Sequence, residues 1–204
     1  MFTHFTNQQI ADIEKRKRIA LINSLSGFKS LNLIGTTNPE GQTNLAIFNS
    51  VMHIGADPAL LGFISRPNSV ERHTIENIQQ MGYYTINHVN ATIFEKAHQT
   101  SARYDRDQSE FDAARLGIVY KNNFAAPFVQ ESQIQMGLML KEMIPIKSNG
   151  TDLLIGEIVD LYFPTEIWEE DGVLDIEKAG TIAGSSLDGY HNTQLITRLK
   201  YAKP

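Results

Sequence analysis

Arg66, Ser50, Ser65 and Thr74 are the residues of this 204-residue chain whose types and spacing could hold a phosphate group. A phosphate monoester near neutral pH carries close to two negative charges and three acceptor oxygens, so it needs a cation and several donors. Arg66 offers a planar fork of N–H groups, and the three hydroxyl residues offer further donors. A helix starting at Thr74 would add backbone N–H groups at its positive end. Each residue also has a plainer use: Ser65-Arg66-Pro67 can simply leave a strand, and Thr74 can simply cap a helix. Singly the plain uses are commoner, whereas jointly the residues tilt toward an anion site. His98, in IFEKAHQTSARY, is a ligand-side candidate or a histidine bonded to a backbone carbonyl.

Other chemistries are poorly supplied. No cysteine is present, which excludes disulfides, thiolate metal sites and a cysteine nucleophile. The six histidines lack metal-ligand spacing, and there is no HExxH, GxGxxG or P-loop lysine motif. The run at Gly184-Ser185-Ser186 has no strand-turn-helix context for a nucleophile elbow. A net charge of -5 argues against nucleic acid. Glu14 to Arg18 is the one dense basic run and reads as a solvated helix face, and Asp105, Asp107 and Glu110 read as solvated too. The N-terminus lacks a signal-peptide core and no window would span a bilayer as a helix, so a soluble, cytoplasmic protein is expected.

The elements that must position these groups are mostly strands. Thr6-Asn7-Gln8-Gln9 predicts a capping box opening a helix toward Ala20 that ends before Ser26-Gly27. LNLIGTT predicts a strand, Asn38-Pro39-Glu40-Gly41 a type I turn, and TNLAIFNSVMHIG one continuous return strand. After Asp57-Pro58, the unbroken apolar run of ALLGFIS predicts a third strand buried on both faces. If it lies beside the second, Asn49-Ser50 and Ser65-Arg66 end near one another. TIENIQQM predicts a short helix with Thr74 as N-cap and Gly82 just past its end, Asn68 with Glu71 being a rival start. YYTINHV is a fourth strand, the stretch from Ile93 to Gly117 is polar and helix-prone, and two long strands follow at 131–146 and 152–164. Short strands with inserted helices point to a closed or nearly closed antiparallel barrel in one domain, not to βαβ units.

The run GTTNPEGQTNLAIFNSVMHIGADPALLGFISRP, followed by HTIENIQQMGYYTINHV, AHQTSARYDRDQSEF, APFVQES and the closing LDGYHNTQLITRLKYAKP, resembles the flavin reductase-like family of FMN-binding split barrels. The flavoredoxin-like members look nearer than the reductase partners of two-component monooxygenases. The resemblance implies a mainly β chain with peripheral helices, a Greek-key split β-barrel over 1–204 with 1–25 as an N-terminal helical extension. It implies a homodimer holding FMN near its interface and taking hydride from NAD(P)H, or else an electron-transfer flavoprotein or FMN-binding module without its own NAD(P)H site. Carried onto this sequence, Asn49, Ser50 and Val51 lie along the flavin, while Ser65, Arg66 and Thr74 hold the phosphate. His98, Thr100 and Ser101 lie near the cofactor, and Tyr190 approaches the ring edge or the partner subunit. Many relatives have Asp where this chain has His73. No catalytic side chain or metal is implied, because the chemistry belongs to the flavin. Trp168 reads as a surface-loop or dimer anchor.

Overall fold

In the computed structural model, which describes residues 1–67 and 72–203, Thr6 and Gln9 form the expected reciprocal capping box on α1 (Asn7–Asp12). The helix does not continue to Ala20 unbroken. It stops at Ile13, and α2 (Lys15–Leu25) starts afresh because the Glu14 carboxylate accepts from the amides of Arg16 and Lys17. Those two bonds hold the Glu14 carboxyl below its ordinary range. Neither helix buries a residue.

From there the chain runs β1 (Lys29–Ser30), β2 (Asn32–Thr37), β3 (Thr43–Phe48), β4 (Met52–Ala56), β5 (Ala59–Ser65), α3 (His73–Met81) and β6 (Tyr83–His88). It continues through α4 (Phe94–Gln99), α5 (Glu110–Ala114), β7 (Ile118–Val119), β8 (Phe128–Val129), β9 (Gln135–Ile146) and β10 (Thr151–Tyr162). It closes with β11 (Ala183–Ser185) and β12 (Gly189–His191). Gly82 ends α3 in the left-handed region at φ +73° as expected, which a residue without Cβ tolerates. The rival helix start at Asn68 and Glu71 lies outside the described residues.

Seven strands make one antiparallel sheet in the order β3-β2-β6-β9-β10-β5-β4. Its two edges, β3 and β4, are consecutive in sequence and do not pair. The predicted return strand is therefore two strands, broken at Asn49-Ser50-Val51, and this break is the split of the barrel. The inner face is apolar: Ile34 faces Ile86, Ile86 faces Met136, Tyr84 faces Leu138 and Phe63 faces Leu154 across neighbouring strands. Ile75 and Ile78 of α3 pack against the same cluster. β2 is buried along its whole length, since Ile34 faces this core while Leu33 belongs to a second one with Val89, Ala97 and Phe111 under α4 and α5. Each such side chain contributes about 1.5–3 kcal/mol on burial, so α3, α4 and α5 are held by packing despite their shortness. Among the described residues no helix is long and apolar enough to cross a membrane.

Candidate functional site

A cavity of about 900 Å³ opens beside the split, between β3, the 49–50 connector, the end of β5, the start of α3, the α4–α5 loop and the turn before β12. Every residue expected at the site lines it except Val51. The Val51 side chain packs against the barrel core, and its carbonyl accepts from Ser30 Oγ at 2.9 Å.

The hydroxyls and amides at the split are partly committed to the fold. Ser50 Oγ donates to the Ile64 carbonyl (3.2 Å) and accepts from the Ile64 amide (3.1 Å). It thereby joins the connector to β5 in place of a missing ladder residue, bringing Asn49-Ser50 beside Ser65-Arg66. Asn49 Nδ2 donates to the Ser186 carbonyl at 3.2 Å, which leaves Oδ1 as the side chain's acceptor. Ser65, buried, donates to the Arg66 carbonyl at 3.1 Å.

Thr74 is not the N-cap. Arg72 holds that position, with no side-chain cap, and Thr74 is the second helical residue. The reason is Asn44, whose Nδ2 donates to Thr74 Oγ1 at 2.9 Å and pins the first turn of α3 onto β3. As an acceptor there, the hydroxyl keeps its proton for a donor bond into the cavity. Asn77, donating to Thr36 Oγ1 at 3.1 Å, fixes the same helix to β2.

On the opposite wall, His98 of α4 and Tyr190 of β12 share a hydrogen bond of 2.7 Å between Nδ1 and the phenol. Their rings meet edge-on, with centroids 5.7 Å apart. Burial and the neighbouring Asp188 charge raise the Tyr190 phenol above its ordinary range. Thr100 is buried and donates to the Ala97 carbonyl at 2.8 Å, ending α4, while Ser101 is exposed at the rim.

Three features escaped the sequence reading. Arg72 and Arg103 join Arg66 on the cavity wall. Arg72 Nε is buried without a hydrogen-bond partner among the described residues, and desolvation followed by the charges of Arg66 and Arg103 lowers its affinity for its proton. Among the described residues none of these arginines enters an ion pair. The signal was available as a second arginine at the head of the helix six residues after Arg66. Glu110 is the second feature, and it is buried, not solvated: its Oε2 accepts from the Leu45 amide at 2.9 Å at the cavity floor. Burial raises its carboxyl above the usual range, against the opposing pull of the Leu45 bond and of His73. His73 itself lines the cavity beside it. The third is the turn Ser186-Leu187-Asp188, which closes the wall next to Tyr190.

The cavity is thus polarised, with a cationic end at α3 and a phenol-imidazole pair and Asp188 at the other. A family model for the flavin reductase like domain matches residues 25–178. The chain belongs to that family. Membership sets its broad chemistry as flavin-linked oxidoreduction.

A split-barrel protein of Shewanella frigidimarina, to which flavin reductase activity is ascribed, is 50% identical, with a TM-score of 0.95 over 98% of this chain and 100% of its own. Component B of nitrilotriacetate monooxygenase from Bacillus cereus shares the fold at 19% identity and a TM-score of 0.85, covering 98% and 99% of the two chains. Flavoredoxin of Desulfovibrio vulgaris does so at 20% and 0.73, covering 86% and 92%. By backbone, then, the monooxygenase component lies nearer to this chain than that flavoredoxin.

Proposed function

We propose that the cavity holds FMN and that the chain is an FMN-dependent oxidoreductase drawing electrons from NAD(P)H. The observation that carries this reading is the buried, unpartnered Nε of Arg72 beside Arg66, at a helix start without a side-chain cap. Like charges that, among the described residues, enter no ion pair favour an anion beside them, and a buried donor left unbonded costs about 1–3 kcal/mol. A phosphate monoester meets both needs. Arg66 and Arg72 supply the charge, Thr74 its hydroxyl proton and the first turn of α3 its positive end. At the split, Asn49 and the backbone of the 49–51 connector offer acceptors and donors to a flat polar ring. His98 and Tyr190 present a hydrogen-bonded pair at the other end, and Thr100 and Ser101 shape the rim. Bound there, the flavin supplies the hydride acceptor, with the nicotinamide as donor.

A homodimer accompanies this reading. The helices α1 and α2 and the residues after His191 hold no fully buried residue, and Ile19, Ile22, Leu25, Leu195 and Leu199 stand exposed. Apolar surface of that extent seeks a partner surface.

The test is anaerobic. Purified protein saturated with FMN should be yellow and bleach on adding NADH or NADPH. Bleaching by dithionite alone would replace the reductase reading with an electron carrier, and protein that ignores added FMN would sink both.

A further inference from the structure

Resting on the FMN reading, we propose that Glu110 takes up a proton when the phosphate docks, so that the protein holds its anion more tightly as pH falls and loosens it as pH rises through the neutral range. Glu110 stands between two polar spaces. It lines the large cavity together with Arg66, Arg72 and the start of α3. It also lines a separate chamber of about 10 Å³, whose other walls include Asn38, Asn44, Asn77 and Arg106. A space of that size admits about one water, so Glu110 keeps a route for protons when the large cavity is filled.

The chamber favours the neutral carboxyl. Asn77, which shares it, spends its Nδ2 on Thr36 Oγ1, while its Oδ1 is buried with no hydrogen-bond partner among the described residues. A buried acceptor of this kind needs a donor. The proton of a neutral Glu110, directly or through one water, supplies it. Burial already raises the Glu110 carboxyl, against the Leu45 bond and His73. A phosphate monoester carries about -1.5 to -2 charges, and beside Arg66 and Arg72 it would repel the carboxylate and favour the proton further. Linkage then fixes the sign: binding that takes up a proton strengthens as pH falls through the window between the ligand-free and ligand-bound values of Glu110.

The charges around Glu110 come from four elements. The start of α3 brings His73 and Arg72, and the end of β5 brings Arg66. The α4–α5 loop brings Arg103, Asp105 and Arg106, the last committed to Glu76. From α4 come Lys96, bonded to the Arg115 carbonyl, and His98, bonded to Tyr190. β3 adds no charge, only the Leu45 amide. Arginine does not titrate in proteins, so the imidazole of His73 is the rival carrier that the experiment must separate.

Calorimetric titration with FMN in buffers of different ionisation heat counts the protons taken up. It is run on wild type, Glu110→Gln and His73→Gln between about pH 7 and 8, where a phosphate with its second pKa near 6 is already largely dianionic. Riboflavin is the phosphate-free control. Wild type should take up a fraction of a proton with FMN and none with riboflavin, and its FMN affinity should fall about twofold or more across that range. Glu110→Gln should lose both the uptake and the pH dependence. Relieved of the buried negative charge, it should also bind FMN about threefold more tightly than wild type at the upper end. FMN binding without proton uptake in wild type, uptake that persists in Glu110→Gln, or uptake lost only in His73→Gln overturns the proposal and leaves the FMN reading standing. Wild-type protein that binds no FMN removes both.

Discussion

Replacing Arg72 with Gln separates a ligand-binding role from a structural one, because the two predict opposite signs for stability. The cap of α3 survives the change: the amide of residue 72 donates to Glu76 Oε1 at 3.1 Å, and its carbonyl accepts from the amides of Ile75 and Glu76 at 2.8 and 3.0 Å. All three contacts are backbone on the side of residue 72. What disappears is a guanidinium whose Nε is buried unbonded and which is repelled by Arg66 and Arg103. Ligand-free protein should therefore keep its thermal midpoint or gain slightly, within about 0.5 kcal/mol. FMN should lose one charge-assisted contact, about 1.5–3 kcal/mol, or about tenfold to a hundredfold in Kd. Riboflavin, which lacks the phosphate, should change by less than about twofold. The assay is fluorescence titration of both flavins at low and high salt, with thermal unfolding of the ligand-free proteins. The FMN difference should narrow in salt, since Arg66 and Arg103 leave the site partly open to screening. Equal losses for FMN and riboflavin, or destabilisation beyond about 1 kcal/mol, would refute the assignment.

Two further outcomes follow from buried groups. Glu110 has its carboxyl raised by burial, so its protonated form is favoured by the fold: that contribution is complete below the unfolded value near 4.3 and drains as pH rises through the raised folded value. Glu110→Gln keeps an acceptor for the Leu45 amide and removes the titration. Thermal unfolding should show wild type losing ground to the variant from about pH 4 toward neutrality, and a difference flat in pH would contradict the burial argument. Gly156 faces the buried Tyr84, whose Oη would lie 2.2 Å from an added Cβ. Gly156→Ala should cost about 1–3 kcal/mol in chemical denaturation through overpacking, and a neutral result would mean that the inner face repacks freely.

Local chemistry made much of the fold legible. The capping box at Thr6, the turn at Asn38 (Gly41 amide to Asn38 carbonyl, 3.0 Å) and the left-handed Gly82 all stand where the sequence puts them. Each is decided by residues within four positions of one another. Apolar, strand-prone runs likewise announced β2, β5, β6, β9 and β10, and the lack of βαβ spacing among them pointed to an antiparallel barrel. The stretch from Ile93 to Gly117 was less legible. It became two short helices around an irregular loop, because α4 and α5 are fixed by packing Ala97 and Phe111 beside Leu33 and not by propensity.

By itself the sequence determined which residues could make an anion site, the strand-rich class and the family likeness, since residue types and short-range periods are written directly in it. Only the tertiary structure decided how those residues divide their labour. The break at Asn49-Ser50-Val51 exists because β3 and β4 become opposite edges of one sheet, a long-range fact that no local window contains. Asn44, thirty residues away, claims the Thr74 hydroxyl and moves the helix start to Arg72. Glu110 is buried because the distant Leu45 amide needs an acceptor. Arg72 and Arg103 become a charged cluster through the approach of a loop and a helix that are unrelated in sequence. Hydrogen bonds and Coulomb forces act over ångströms of space, and the chain order records that proximity only after folding.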